Sequence, residues 1–292
     1  MRLRVPRKCP LTGPKRLKHS SPAASQKNFI SRGRTLSDIL PIVFFGHGSP
    51  TNALEDNRFT QCWAEIGERA ANARAILMIS AHWCTEGTMA TAAIDLQTIH
   101  DFGPIDNRLF SLSYPAKGSP DLVEDVSDAL GLADADLERI RGLDHGAWTV
   151  LMKAFPKANI PVVQLSLNMN LSPKDHYSLG VKLSLLRKAG YLIASSGNIV
   201  HNLSMMDWQS KGGAFEWASH FNKSIISAVL GQQHDQVLDY GLIEGSDKAV
   251  PHPDHFLPLL YTLGASQPDD PISIYTNEIV YRSLGMATLV FG

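Results

Sequence analysis

Cysteine is scarce in this chain, and what little there is lies scattered. The 292 residues hold three, Cys9, Cys62 and Cys84, with no CxxC spacing. That set argues against a disulfide framework and a cysteine-based zinc finger, and it fits a reducing compartment, the cytoplasm. No apolar run approaches the ~20 residues of a bilayer span, so a helical membrane segment is not expected. No GxSxG elbow, P-loop or GxGxxG turn follows an apolar run, which removes the commonest hydrolase, nucleotide and dinucleotide signatures. Acidic residues are missing from residues 1–37, where ten Lys or Arg stand among Pro6, Pro10, Pro14 and Pro22.

The remainder carries seventeen basic against twenty-eight acidic side chains, a net of −11 hidden by the overall −1. Residues 1–37 read as a basic, disordered extension. The alternatives are an organelle-targeting peptide or a nucleic-acid tail, but the prolines spoil an amphipathic targeting helix. The acidic body argues against nucleic acid as the main partner.

With 44% hydrophobic and 19% charged residues, residues 38–292 are expected to form one globular domain. Buried strands are predicted at 41–45, 75–80, 161–167 and 191–195, each a short apolar run. Strands at 272–276 and 286–291 close the chain. Helices are predicted at 57–71, from Ser119-Pro120 to Gly131, at 144–155, from Ser172-Pro173 to Gly190, and at 216–230. Serine caps followed by proline mark two of these starts. Strands alternating with helices imply an α/β fold: a mixed, largely parallel central sheet flanked by helices on both faces.

Four histidines stand just past apolar runs or in a proline-bounded turn: His47, His82, His201 and His255. Neutral imidazole is the commonest protein metal ligand. In open α/β sheets, ligands bind beyond the carboxyl ends of the strands. His47, His82 and His201 each follow a predicted strand, so one rim could hold all three. His255 is favoured over His252 because it adjoins the apolar Phe256–Leu260 run. His145 opens a predicted helix after Asp144. A helix N-terminus favours the neutral imidazole, which can accept a proton as a general base; helix capping is the competing explanation. His100 is a weaker candidate for substrate contact. His19, His176, His220 and His234 fall in the tail or at positions expected to be exposed. Ser195-Ser196-Gly197 is a feeble nucleophile signal, and Trp83 is expected in the core.

These motifs occur in a recognisable order: Gly46-His47-Gly48-Ser49-Pro50, Ser80-Ala81-His82-Trp83, Thr98 to Gly103, Tyr114-Pro115, Gly118-Ser119-Pro120, Asp144-His145-Gly146, Gly197-Asn198, His201-Asn202 and Pro253-Asp254-His255. Over residues 40–292 the chain resembles class III extradiol ring-cleavage dioxygenases of the DOPA 4,5-dioxygenase type, the bacterial members above all. The resemblance implies a single α/β domain holding one divalent metal ion, Fe(II) or Zn(II). His47, His82 and His255 would be ligands. His201 would be a fourth ligand or a base behind the ligands, and His145 would contact substrate or shuttle protons. The implied partners are a catechol and O2, with no nucleic acid and no membrane. Many class III relatives have a glutamate where His255 stands, and three neutral imidazoles suit Zn(II) as well as Fe(II). After Gly103 the chain departs from its relatives, reading Pro-Ile-Asp-Asn-Arg. Two other readings stay open, a zinc-dependent hydrolase and a non-catalytic protein that binds metal or ligand on the same scaffold. The sequence leaves the physiological catechol and the oligomeric state open.

Overall fold

A computed structural model describes residues 39–292 apart from Lys211; the basic extension lies outside the described residues. Ten strands are present among the described residues: β1 (Ile42–Gly46), β2 (Ile76–Thr85), β3 (Ala90–Thr91), β4 (Leu137–Glu138), β5 (Val162–Asn168), β6 (Leu192–Gly197), β7 (Ile272–Thr276), β8 (Ile279–Val280), β9 (Leu284–Gly285) and β10 (Thr288–Phe291). The helices are α1 (Arg58–Arg69), α2 (Pro120–Leu130), α3 (His145–Ala154), α4 (Pro173–Leu183), α5 (Glu216–Leu230), α6 (His234–Leu238), α7 (Ser246–Ala249) and α8 (Leu257–Ala265).

Eight strands form one sheet in the order β4-β3-β5-β2-β6-β1-β10-β7, and β8 pairs with β9 in a separate hairpin. The central four, β5-β2-β6-β1, are parallel. Antiparallel pairs flank them, β3 on β5 at one side and β1–β10–β7 at the other. The expected mixed, largely parallel sheet in a single α/β domain is what the chain forms.

Side-chain alternation along the buried strands builds two cores. Ile42 and Phe44 join Leu77, Ile79, Val163 and Leu165 on one face, packed by α2, α4, α5 and α8. Val43 and Phe45 join Ile76, Met78 and Val162 on the other, packed by α1 and α3. Because both faces are covered, the central strands are buried along most of their length and largely apolar, rather than alternating apolar with exposed polar residues.

Local chemistry sets the helix ends. Ser119 accepts from Leu122 N and Ser172 from Asp175 N, each with proline in the first turn. Asp144 caps α3 by accepting from Ala147 N. The segment from Ser172 to Gly190 is not one helix as expected: α4 ends at Leu183 and a 3-10 turn, Ser184–Arg187, follows. No helix among the described residues is long and apolar enough to cross a membrane.

Candidate metal centre

The topology gathers the strand-end histidines. In space β6 lies between β2 and β1, and all three run parallel. Their carboxyl ends therefore share one edge, although the chain reaches them far apart. His47 is the first residue beyond β1, and its N–H continues the ladder to Gly197 O at 3.3 Å. β2 does not stop at Ser80 as expected. It runs on to Thr85, with its register to β5 broken between Ile79 and Cys84, and His82 sits in that irregular stretch. His255 lies in the turn just before α8, and its carbonyl accepts from Asn198 N at 2.8 Å. That docking needs Gly197, because a Cβ there would lie 2.2 Å from His255 O. His252, the competing candidate, is exposed.

The ligand atoms of His47, His82 and His255 all lie within 4.8 Å of one another. Ring centroids are 5.0 Å apart for His47–His82, 5.3 Å for His47–His255 and 4.9 Å for His82–His255. Hydrogen bonds fix two of the tautomers. Ser196 Oγ donates to Gly146 O at 2.6 Å, so at 2.9 Å it must accept from His47 Nδ1. Asp254 Oδ2 accepts from His255 Nδ1 at 3.0 Å. Both rings thus carry their proton on Nδ1 and a lone pair on Nε2.

His255 Nε2 is buried without a partner among the described residues. An orphaned buried acceptor is costly unless something satisfies it. His47 Nε2 and His82 Nε2 are 3.1 Å apart. Two nitrogens each about 2.0–2.1 Å from a shared ion would stand roughly 3.0–3.4 Å apart. Burial lowers the pKa of His47 and His255 well below the ordinary imidazole value, and the neighbouring imidazoles lower it further. Burial and His145 bring His82 down to about 4 despite the nearby carboxylates. The donor set is therefore three neutral imidazoles near neutral pH, and it fits a divalent ion.

His201 stands apart from the three-nitrogen cluster. Its ring stacks on His255 at 3.5 Å and 5°, and an isolated bridge to Leu284 holds its backbone. Burial, partly opposed by Asp254, lowers its pKa to about 4. His201 is not in the group of residues whose ligand atoms converge. His145 is the first residue of α3, with its ring centroid 3.9 Å from that of His82. His100 packs among Phe102, Phe110 and Trp148, and its Nε2 lies 3.1 Å from Leu112 O. Phe102 in turn meets the His145 ring edge-on at 5.5 Å.

Several site residues were not singled out from the sequence. Asp101 Oδ1 accepts from His145 N at 2.9 Å and from its Nδ1 at 3.0 Å. Burial pushes the Asp101 pKa up, but the His145 hydrogen bonds and the neighbouring imidazoles outweigh it and hold it low. His82, Asp101 and His145 form a second group with ligand atoms within 4.8 Å. Fully buried Asp144 accepts from Ser80 Oγ at 2.6 Å and from Gln164 Nε2. Ser80 Oγ in turn accepts from His82 N at 3.3 Å. Asp101 follows His100 in its motif, and that adjacency was the only available signal. The feeble nucleophile signal at Ser196 falls on a hydroxyl whose proton is held by the Gly146 carbonyl. His176, expected exposed, is fully buried with Nδ1 3.1 Å from Tyr261 Oη. Trp83 is buried as expected, under the Arg141 guanidinium.

Comparison with known proteins agrees with this geometry. Residues 41–292 match the family described as the catalytic LigB subunit of aromatic ring-opening dioxygenase. The chain is 39% identical over 257 residues to an Escherichia coli K12 protein named 4,5-DOPA dioxygenase extradiol, covering 87% of this chain and 95% of that one. A protein of the same name from Beta vulgaris is 35% identical over 249 residues, covering 82% and 92%. A crystal structure of an uncharacterized E. coli K12 protein superposes with a TM-score of 0.75 at 36% identity, covering 87% of this chain and all of that one. The chain belongs to the LigB family of aromatic ring-opening dioxygenases.

Proposed function

We propose that this protein is a metal-dependent extradiol dioxygenase that opens the ring of a DOPA-like catechol with O2, and that residues 38–292 are its catalytic domain. The observation that carries the reading is the convergence of the His47, His82 and His255 ligand atoms, with His145 and His201 beside them. In this reading the three imidazoles hold one ion, Fe(II) or Zn(II). When bound there, such an ion would supply Lewis-acid charge that makes a catechol hydroxyl easier to deprotonate.

The chain's own residues do the rest. His145 Nε2 takes a proton from a catechol hydroxyl, because its Nδ1 is already committed to Asp101. His201, neutral near pH 7, is the second acceptor. Phe102 walls one side of the His145 ring. Ring cleavage beside the two hydroxyls gives a ring-opened semialdehyde that carries both atoms of O2.

The test is reconstitution of the metal-free protein under argon with Fe(II) or Zn(II), addition of a catechol panel, and admission of oxygen. Yellow ring-opened product forming only after oxygen is the expected result. Turnover under argon would instead mark a zinc hydrolase. Catechol binding without O2 consumption, with either metal, would mark a non-catalytic binding protein.

A further inference from the structure

Asp101 is delivered to the first turn of α3 by backbone pairing. Thr98 bridges Leu143, Ile99 N donates to Leu143 O at 2.8 Å, and Trp148 Nε1 donates to Ile99 O at 2.8 Å. One carboxylate oxygen then accepts from both the backbone and the ring of His145, which fixes main chain and imidazole together. The other oxygen faces His82 Nδ1 at 3.7 Å. That is too long for a hydrogen bond, yet close enough for the charge to favour a proton on that nitrogen. A proton on His82 Nδ1 leaves His82 Nε2, the atom 3.1 Å from His47 Nε2, as a bare lone pair.

We propose that Asp101 is the positioning residue of this centre, setting the tautomer of two imidazoles at once. It presents His145 Nε2 as a proton acceptor and His82 Nε2 as a metal donor. The inference rests on the reading of His145 as base and His82 as ligand given above. Capping of α3 does not account for the arrangement, because Asp144 already caps that helix from within. A carboxylate needed only for the backbone would have no reason to engage Nδ1 as well. One side chain would thus hold the base and the ion in fixed register, so that the proton leaves the hydroxyl where the ion binds its oxygen.

The experiment uses the full chain, metal-free and 15N-labelled at histidine, with ring tautomers read by long-range 1H–15N NMR. His145 signals are assigned by their absence in His145→Ala. The parental protein should show His145 as the Nδ1–H form. Asp101→Ala should lose that signature and populate the Nε2–H form. Asp101→Asn, whose side-chain oxygen still accepts, should keep it. Asp101→Leu removes the acceptor while keeping bulk; it serves if the alanine variant fails to fold and should lose the signature likewise. In the loaded enzyme, removing the acceptor should lower kcat about 10²-fold with KM little changed. It should also weaken zinc binding about 10-fold in chelator competition. A folded Asp101→Ala or Asp101→Leu protein that keeps His145 as Nδ1–H overturns the proposal. Loss of that tautomer with parental kcat would uphold the positioning by Asp101 and sink the assignment of His145 as base.

Discussion

Ser196 Oγ accepts from His47 Nδ1 at 2.9 Å while giving its own proton to Gly146 O at 2.6 Å. This pairing ties β6 and α3 to the ring at the end of β1, and it aims His47 Nε2 at the centre. Ser196→Ala should weaken metal binding about 10- to 100-fold, as loss of a ligand's hydrogen-bond partner does elsewhere. Chelator competition on the folded variant measures it. Parental affinity would show that packing alone orients His47.

The five histidines should divide into two classes. Ala at His47, His82 or His255 should abolish metal binding and activity together. Ala at His145 or His201 should leave one ion bound per chain and lower kcat, about 10²-fold or more for a lost general base. Metal content by elemental analysis beside steady-state kinetics separates the classes. A metal-free His201→Ala protein would make His201 a ligand.

Gly146 packs where no side chain fits. A Cβ there would lie 2.6 Å from Ser80 Oγ and 2.7 Å from His82 Cδ2. Gly146→Ala should therefore push His82 off the centre, costing about 1–3 kcal/mol from overpacking and most of the metal affinity. Denaturant unfolding and metal titration on the same sample report both. A variant that binds metal normally would mean the α3 start can shift as a unit.

His176 gives a pH signature remote from the metal centre. Burial lowers its pKa to about 4, against about 6.5 for an exposed imidazole. Above pH 6.5 both folded and unfolded chains hold it neutral, and its contribution is fully present. Between pH 6.5 and 4 the unfolded chain binds a proton that the folded one refuses, so stability falls as the pH drops. The loss reaches about 3 kcal/mol at pH 4, where the folded chain begins to take up the proton as well, and levels off below that. Metal-free parental protein and His176→Asn, compared in urea at pH 7 and pH 4, should differ in pH dependence by about that amount. Equal pH dependence would remove His176 from the acid response.

Much of the fold was legible because its signals are local. Runs such as Ile42–Phe45 and Val162–Leu167 are too short and too apolar for anything but buried strands. α5 and β7 occupy the expected spans, Glu216–Leu230 and Ile272–Thr276. The two-residue strands β3, β4, β8 and β9 were not legible, because two residues carry no period and form only where a neighbour offers its edge. The 3-10 turn after α4 and the burial of His176 likewise depend on what packs against them.

By itself the sequence determined the alternation of strands and helices, the places where chemistry-bearing histidines follow apolar runs, and the family. These follow from neighbours in the chain, where periodicity and caps act. Only the tertiary structure decided which imidazoles meet, that His201 stacks on His255 outside the cluster of three, and that Ser196, Asp254 and Asp101 hold the protons of their partners. The reason is the sheet order: β6 inserts between β2 and β1, so residues 47, 82 and 255 become neighbours through pairings that no local pattern encodes.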